Sequence, residues 1–375
     1  MDAQEPPVFL RKNRRYAETN RRVTIMDVAR AAGCSHTTVS LSLNDSPLIT
    51  EATRRRVREK AKALKYTPNR VARSLRLARS QTIGIVAGSG PDQSRAGLLR
   101  YLGTTLLQKK FRPFLSSSLI TRQDEWECFG EFLEDRVDGI IALVSDRVER
   151  YEASARQVNC PVVFALGVHQ SDDRADYVTV DREEGAYQGA AHLLALGHRK
   201  IAFPYRPCDL LFHPPKLRGY QRALREFGVV NVERHLFPYP VEMDWTKSGY
   251  DFGEKFLSLA DRPSAVFTSD VRFAMGFIRR LRKAGVGVPG DVAVVAYGSG
   301  RDTDWMEVPI TTVEFPLKVI AEKAAEILIR RIQGEPSGDS QMTLGHELAI
   351  RDSCGAKAAR EGSRPNLDLA GAATS

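Results

Sequence analysis

Apolar positions recur at the helical period across residues 23–64, then change after residue 82 to short, nearly unbroken apolar runs. In the first stretch Ile25, Val28, Ala29 and Ala32 share one face. Thr24 and Asp27 have the spacing of a capping box, and Gly33 supplies the positive φ that a sharp helix end requires. Ser35 restarts a helix two residues later, predicted to bury Val39 and Leu43 and to leave His36, Thr37, Ser40 and Leu41 facing out. Asn44 to Ile49 reads as a loop, after which Thr50 caps a third helix running to about Leu64, with Val57, Ala61 and Leu64 inward. Two helices joined by a tight turn, the second with a small polar outer face, have the shape that enters a DNA major groove. The plainer reading of the same pattern is an αα-corner in a small bundle.

Beyond residue 82 the runs TIGIVAG, RPFLSSS, DGIIALV, PVVFALG, DYVTV, KIAFPY, SAVFTS and DVAVVAY read as buried strands. Helical stretches lie between most of them, among them Leu98–Lys109, Glu183–Leu196, Pro215–Phe227, Arg272–Ala284 and Leu317–Ile332. Alternation of this kind builds a parallel, doubly wound α/β arrangement. The span is too long for one such sheet, so two similar lobes with a cleft between them are expected.

Charge sharpens the first part of this picture. Residues 1–80 carry 18 Lys and Arg against 7 Asp and Glu, a surplus of 11, while the remainder carries 37 against 39. A basic surplus confined to the segment holding the two-helix motif favours a polyanionic partner over a merely solvated face. Residues 1–22, with Pro6, Pro7 and six basic positions from Arg11 to Arg22, lack apolar periodicity and read as a disordered basic arm. Neither a secretory leader nor a membrane span is expected from the pattern, and the five scattered cysteines suit reduced thiols. A cytoplasmic, nucleoid-associated protein without membrane contact is expected.

The motifs VTIMDVARAAGCSHTTVS, then LN, TR and KYTPNRVARSL, resemble the lactose-repressor (LacI/GalR) family of bacterial transcription regulators. The resemblance continues through most of the chain. It implies a headpiece at 23–67, a hinge helix at 68–79 and a periplasmic-binding-protein-like core at 80–354. It divides that core into lobes of about 80–179 plus 302–334 and about 180–301 plus 335–354, crossed near Val180, Gly300 and Glu335. It also implies that Asn69, Arg70, Ala72, Arg73 and Leu75 form a hinge that meets the minor groove, with Leu75 as the wedge; an apolar wedge costs a few kcal/mol of unstacking, offset by contacts to the bent duplex. Residues 355–375 have two leucines and no heptads, so a flexible tail and a homodimer are expected rather than a coiled-coil tetramer.

Departures from the family pattern redirect the site assignments. Where VSRVLN is common, this chain has Val39-Ser40-Leu41-Ser42-Leu43-Asn44. Leu41 cannot donate to guanine and is left to a thymine methyl or to shape, so His36 and Thr37 become the principal base readers. Thr24, Thr38, Ser40, Asn44 and Thr50 are candidates for positioning phosphates. In the core, Asp270 at the end of SAVFTS resembles the family's effector-holding Asp, and would otherwise be a plain N-cap. Trp245 matches a stacking aromatic, and Asp92 and Gln93 follow the first strand on the cleft side. Lys216 stands where relatives have an Arg fork, and Ala296-Tyr297-Gly298-Ser299 replaces Gly-Phe-Asp-Asp.

Enzymatic chemistry has no comparable signal. Gly88-Ser89-Gly90 lacks the third glycine of a dinucleotide loop, Gly298-Ser299-Gly300 is flanked by Tyr297 and Arg301 and fails the nucleophile elbow, and no metal-binding spacing occurs. The expectation is a DNA-binding regulator, with no cofactor, whose operator affinity responds to a small molecule, a sugar or related metabolite, in the cleft. The alternative is a solute receptor or sugar-processing enzyme with an incidental basic extension.

Overall fold

The computed structural model describes residues 23–67, 79–87, 93–115, 125–143, 148–167, 175–205, 213–239, 244–300, 302–335 and 339–356. The hinge residues Asn69, Arg70, Ala72, Arg73 and Leu75, the basic arm, the tail from residue 357 and Asp92 lie outside them. The chain forms two units, Met1–Ser80 and Gln81–Ser375.

The first unit is a three-helix headpiece: α1 (Ile25–Ala32), α2 (His36–Leu43) and α3 (Glu51–Ala63). Its small core joins Val28, Ala29 and Ala32 of α1, Val39 of α2, and Val57 and Ala61 of α3. Gly33 ends α1 at φ 59°, in the left-handed region, which allows the short turn before Ser35 caps α2.

In the second unit, one sheet contains β1 (Thr82–Ala87), β2 (Arg112–Leu115), β3 (Gly139–Leu143), β4 (Val162–Ala165), β5 (Asp176–Val180) and β11 (Gln341–Leu344), ordered β11-β5-β4-β3-β1-β2. Every pair in it is parallel. Side chains alternate between its faces. Ile83 and Ile85 meet Leu98, Leu102 and Leu106 of α4 (Gln93–Gln108) and Ile320 and Leu328 of α11 (Leu317–Gln333). Val86 and Ile140 face Phe129 and Phe132 of α5 (Glu125–Glu134) and Tyr151 of α6 (Val148–Gln157).

The other sheet contains β6 (Ile201–Tyr205), β7 (Leu236–Pro238), β8 (Ala265–Thr268), β9 (Ala293–Tyr297), β10 (Thr311–Glu314) and β12 (Glu347–Ala349), ordered β12-β10-β9-β8-β6-β7. Only β12 is antiparallel to its neighbour. One face packs on α7 (Arg182–Ala195) and α8 (His213–Glu226), the other on α9 (Trp245–Leu257) and α10 (Val271–Lys283). The two expected parallel α/β lobes are thus present, each with helices on both faces.

Two of the three expected crossings are displaced. The first follows Val180, where β5 of one sheet leads into α7 of the other lobe. The second lies at Phe315-Pro316 and not near Gly300, because Thr311 and Thr312 pair with Val295 and Ala296, which keeps residues 302–314 with the second lobe. The third lies at Gly345-His346 and not near Glu335, because Gln341–Leu344 pairs with β5. β10, β11 and β12 are only three or four residues long, too short to show a strand period in the sequence.

Candidate nucleic-acid interface and ligand cavity

In the headpiece, the Asp27 carboxylate accepts the Thr24 backbone N–H at 2.9 Å and the Thr24 hydroxyl at 2.7 Å. Ser35 Oγ accepts the Thr38 N–H at 3.1 Å and lies 2.9 Å from the Thr38 hydroxyl. These caps fix where α2 begins and hence which residues it presents. His36 and Thr37 are exposed, Leu41 is half-buried, and Val39 is fully buried.

Ser40 departs from expectation: it is 7% exposed, and so is turned inward where it was expected to reach a phosphate. Ser42 is fully buried while Leu43 is only half-buried, so the inner face of α2 runs through Val39, Ser40 and Ser42. A helix this short carries few apolar residues, and its packing between α1 and α3 decides its rotation more than its composition does. Asn44 is exposed and donates through Nδ2 to the Ser40 carbonyl at 2.7 Å. Thr50 is also exposed and donates to Thr53 Oγ1 at 3.0 Å.

Arg54 and Arg58 have structural partners in the loop after α2. Arg54 donates to the carbonyls of Ser46 and Ile49 at 3.0 and 3.2 Å, and Arg58 pairs with Asp45, so both fasten the loop after α2. Arg55, Arg56, Lys60 and Lys62 remain exposed along α3.

In the core, Lys216, Asp270 and Tyr297 come together around a cavity of about 60 Å³ that Ser94, Ser269 and Ser299 also line. Lys216 Nζ donates to the Ser269 carbonyl at 3.2 Å and lies 4.6 Å from the centroid of the Tyr297 ring. Asp270 caps α10, accepting the Arg272 N–H at 2.8 Å. Its carboxylate is also gripped by the Arg272 fork, Nε to Oδ1 at 3.1 Å and Nη2 to Oδ2 at 3.0 Å. Asp270 is thus an N-cap that also lines the cavity.

Trp245 and Tyr297 are placed differently from expectation. Trp245 does not line the cavity; it opens α9 behind Arg272, 5.7 Å from that guanidinium, and packs edge-on against Tyr239 at 6.2 Å. Tyr297 lines the cavity but is 2% exposed, and its hydroxyl lies 2.8 Å from His346 Nε2. Burial pushes the Tyr297 phenol above its ordinary range. Gln93 opens α4.

The sequence reading missed Ser94, Ser269, Ser299 and Arg272. Ser299 sits in the Gly298-Ser299-Gly300 run that fails as a catalytic motif, and its N–H donates to Ser94 Oγ at 3.3 Å, joining the second lobe to α4 of the first. Its hydroxyl accepts the Phe315 N–H at 2.8 Å, at the second crossing. The cavity thus lies where the lobes touch. His346, at the third crossing, is depressed to about 4 by burial and by the nearby Arg182 and Lys216 cations, against an opposing pull from Asp181.

Comparison with known proteins gives the same outline. Residues 24–69 match the family model "Bacterial regulatory proteins, lacI family", and residues 190–354 match "Periplasmic binding protein-like domain". The chain is 30% identical over 333 residues to catabolite control protein A of Priestia megaterium, covering 88% of this chain and 99% of that protein. It is 31% identical over 346 residues to the HTH-type transcriptional regulator CelR of Thermobifida fusca, covering 90% and 99%. Among solved structures it resembles a CelR–cellobiose complex, with a TM-score of 0.62, 28% identity, and coverage of 88% of this chain and 100% of that one. A lac repressor dimer bound to operator shares the fold, with a TM-score of 0.76, 23% identity and coverage of 89% and 99%.

Proposed function

The chain belongs to the lacI family of bacterial regulatory proteins, and from that premise we propose how its own residues regulate transcription. It is a DNA-binding transcriptional regulator and not an enzyme, as its curated relatives are. The proposed mode is repression by a homodimer that seats α2 of each headpiece in successive major grooves of a near-palindromic operator. His36 and Thr37 read base edges, Leu41 meets a thymine methyl, and Thr38, Asn44 and Thr50 position phosphates. Thr24 contributes less directly, since its hydroxyl proton and N–H are both given to Asp27. Ser40 is withdrawn from the phosphate set because it is buried.

The observation that carries this reading is the exposure of His36 and Thr37, next to the Ser35 cap, on a unit where 18 basic residues face 7 acidic ones. Asn69, Arg70, Ala72, Arg73 and Leu75 would form the minor-groove hinge between protomers. The body of each protomer tunes that grip through a small molecule at the interlobe cavity, where Ser94 and Ser299 meet; a coupling of about 1–3 kcal/mol suffices to change operator occupancy. Among the described residues no helix is long and apolar enough to cross a membrane. A DNA-binding role places the protein in the cytoplasm.

For the protein–protein contact, the most exposed large apolar side chain among the described residues is Trp305, at 88%. Its loop is held by ion pairs from Arg351 to Asp304 and from Arg282 to Glu307. A fixed loop presenting an indole to solvent suits an interface with a second copy.

Salt titration tests the DNA reading. Log affinity for a bound genomic fragment should fall by about 0.9 per phosphate contact for each unit of log salt. A protein that retains no duplex at low salt contradicts it.

A further inference from the structure

We infer that the interlobe cavity takes an oxyanion, so that the regulating molecule is an acidic metabolite carrying a phosphoryl or carboxylate group and not a neutral sugar. The inference rests on the reading of this cavity as the effector site and narrows its ligand class.

A neutral sugar is held largely by carboxylates that accept its hydroxyl protons. The carboxylate that lines this cavity, Asp270, is already committed: both oxygens are gripped by the Arg272 fork and Oδ1 also caps α10. Oδ1 accepts two of these bonds and Oδ2 one, so a single acceptor site remains, on a side chain only 18% exposed. Asp270 is thereby neutralised as a source of repulsion as well.

Donors and positive charge dominate what remains. Lys216 Nζ forms part of the wall, held against the Ser269 carbonyl and the Tyr297 ring face. Lysine presents a compact point charge, suited to an oxyanion and not to the planar bidentate recognition an arginine would offer. Ser94, Ser269 and Ser299 line the same wall. The charged side chains on its wall are Lys216 and Asp270, the latter paired with Arg272, while Arg182 and Asp181 act on Tyr297 and His346. Asp181 is occupied in accepting the N–H groups of Glu183 and Glu184 at 3.0 Å each, and Asp270 is paired. The Arg272–Asp270 pair cancels and Asp181 offsets Arg182, which leaves the charge of Lys216 uncompensated on the wall of a confined space, where it is least screened.

Size agrees. A cavity of about 60 Å³ has room for a single compact group, whereas whole drug-sized ligands occupy roughly 300 Å³ or more. The oxyanion would enter it while the rest of the molecule lies at its mouth. Because Ser94 belongs to one lobe and Lys216 and Ser299 to the other, such a group would touch both lobes at once.

The test uses the full chain, calorimetric titration, and four probes: inorganic phosphate, glycerol 3-phosphate, glycerol and glucose. Phosphate and glycerol 3-phosphate should bind at millimolar concentration and the two neutral probes should not. Lys216→Gln should weaken phosphate binding at least tenfold, and Lys216→Arg should restore most of it, with circular dichroism showing both variants folded. The inference is overturned if glycerol or glucose binds as well as the anions, if neither anion binds, or if Lys216→Gln binds phosphate like the parent. Operator binding measured with each probe separates the two layers. A neutral probe that binds and shifts operator affinity removes the anion inference and leaves the effector reading intact. Lys216-dependent phosphate binding without any effect on operator affinity does the reverse.

Discussion

The hydroxyl of Tyr297 and Nε2 of His346 lie 2.8 Å apart, tying the end of β9 to the third crossing between the lobes. His346 Nδ1 has no hydrogen-bond partner among the described residues. Burial disfavours the charged ring, and protonation would also place a cation beside Arg182 and Lys216, so its pKa falls to about 4.

A folded-state value below the ordinary one means that the native state binds fewer protons than the unfolded chain between pH 4 and pH 6.5. The contribution is complete above pH 6.5 and is lost as pH falls towards 4. The shift corresponds to at most about 3 kcal/mol. Thermal melts should therefore show stability dropping between pH 7 and 5. His198 and His235, also lowered chiefly by burial, contribute in the same direction. His346→Phe isolates the share of one residue, and its melting curve should depend less steeply on pH. An unchanged slope would remove His346 from the account.

The helices carrying Trp245 and Asp270 approach closely enough that a Cβ on Gly276 would lie 1.8 Å from the Thr246 carbonyl oxygen, and one on Gly249 would lie 2.0 Å from that of Phe273. Backbone is in the way on both sides, so neither helix can yield cheaply. Gly276→Ala should cost about 1–3 kcal/mol or more and loosen the Arg272 grip on Asp270. Chemical denaturation measures the first effect, and loss of ligand response at intact DNA binding the second.

Trp305→Ala should leave the fold within about 0.5 kcal/mol of the parent, as expected for an exposed side chain, while shifting sedimentation from dimer towards monomer. A variant that remains dimeric at all concentrations would place the interface elsewhere.

Thr37→Ala should relax preference at one position of each half-site, a base change there being worth about 1–3 kcal/mol in the parent. Identical selected sequences for parent and variant would exclude Thr37 as a reader. His36→Ala tests the neighbouring position in the same way.

The headpiece was legible because its signals are local: Thr24 with Asp27, Gly33, and Ser35 each act within four residues of themselves. The alternation of buried strands and helices announced two parallel lobes for the same reason. Ser40 was misjudged because the rotation of an eight-residue helix depends on packing against α1 and α3. Thr311–Glu314 and Gln341–Leu344 declare their lobe only through partners far away in the chain. At the cavity, Asp270 was visible from its place at a strand end. That Arg272 would close on its carboxylate, and that Tyr297 would turn its hydroxyl to His346, follow from three-dimensional neighbours that spacing does not reveal.

The central claim is that paired headpieces grip a specific duplex and the two-lobed body tunes that grip. Selection of bound duplexes from a random pool by the purified full chain tests it most directly. The account predicts enrichment of an inverted repeat, each half covering the footprint of one α2, with preference at the position lost in Thr37→Ala. Recovery of no motif above the starting pool, at a salt concentration where relatives of this fold hold their sites, would contradict it.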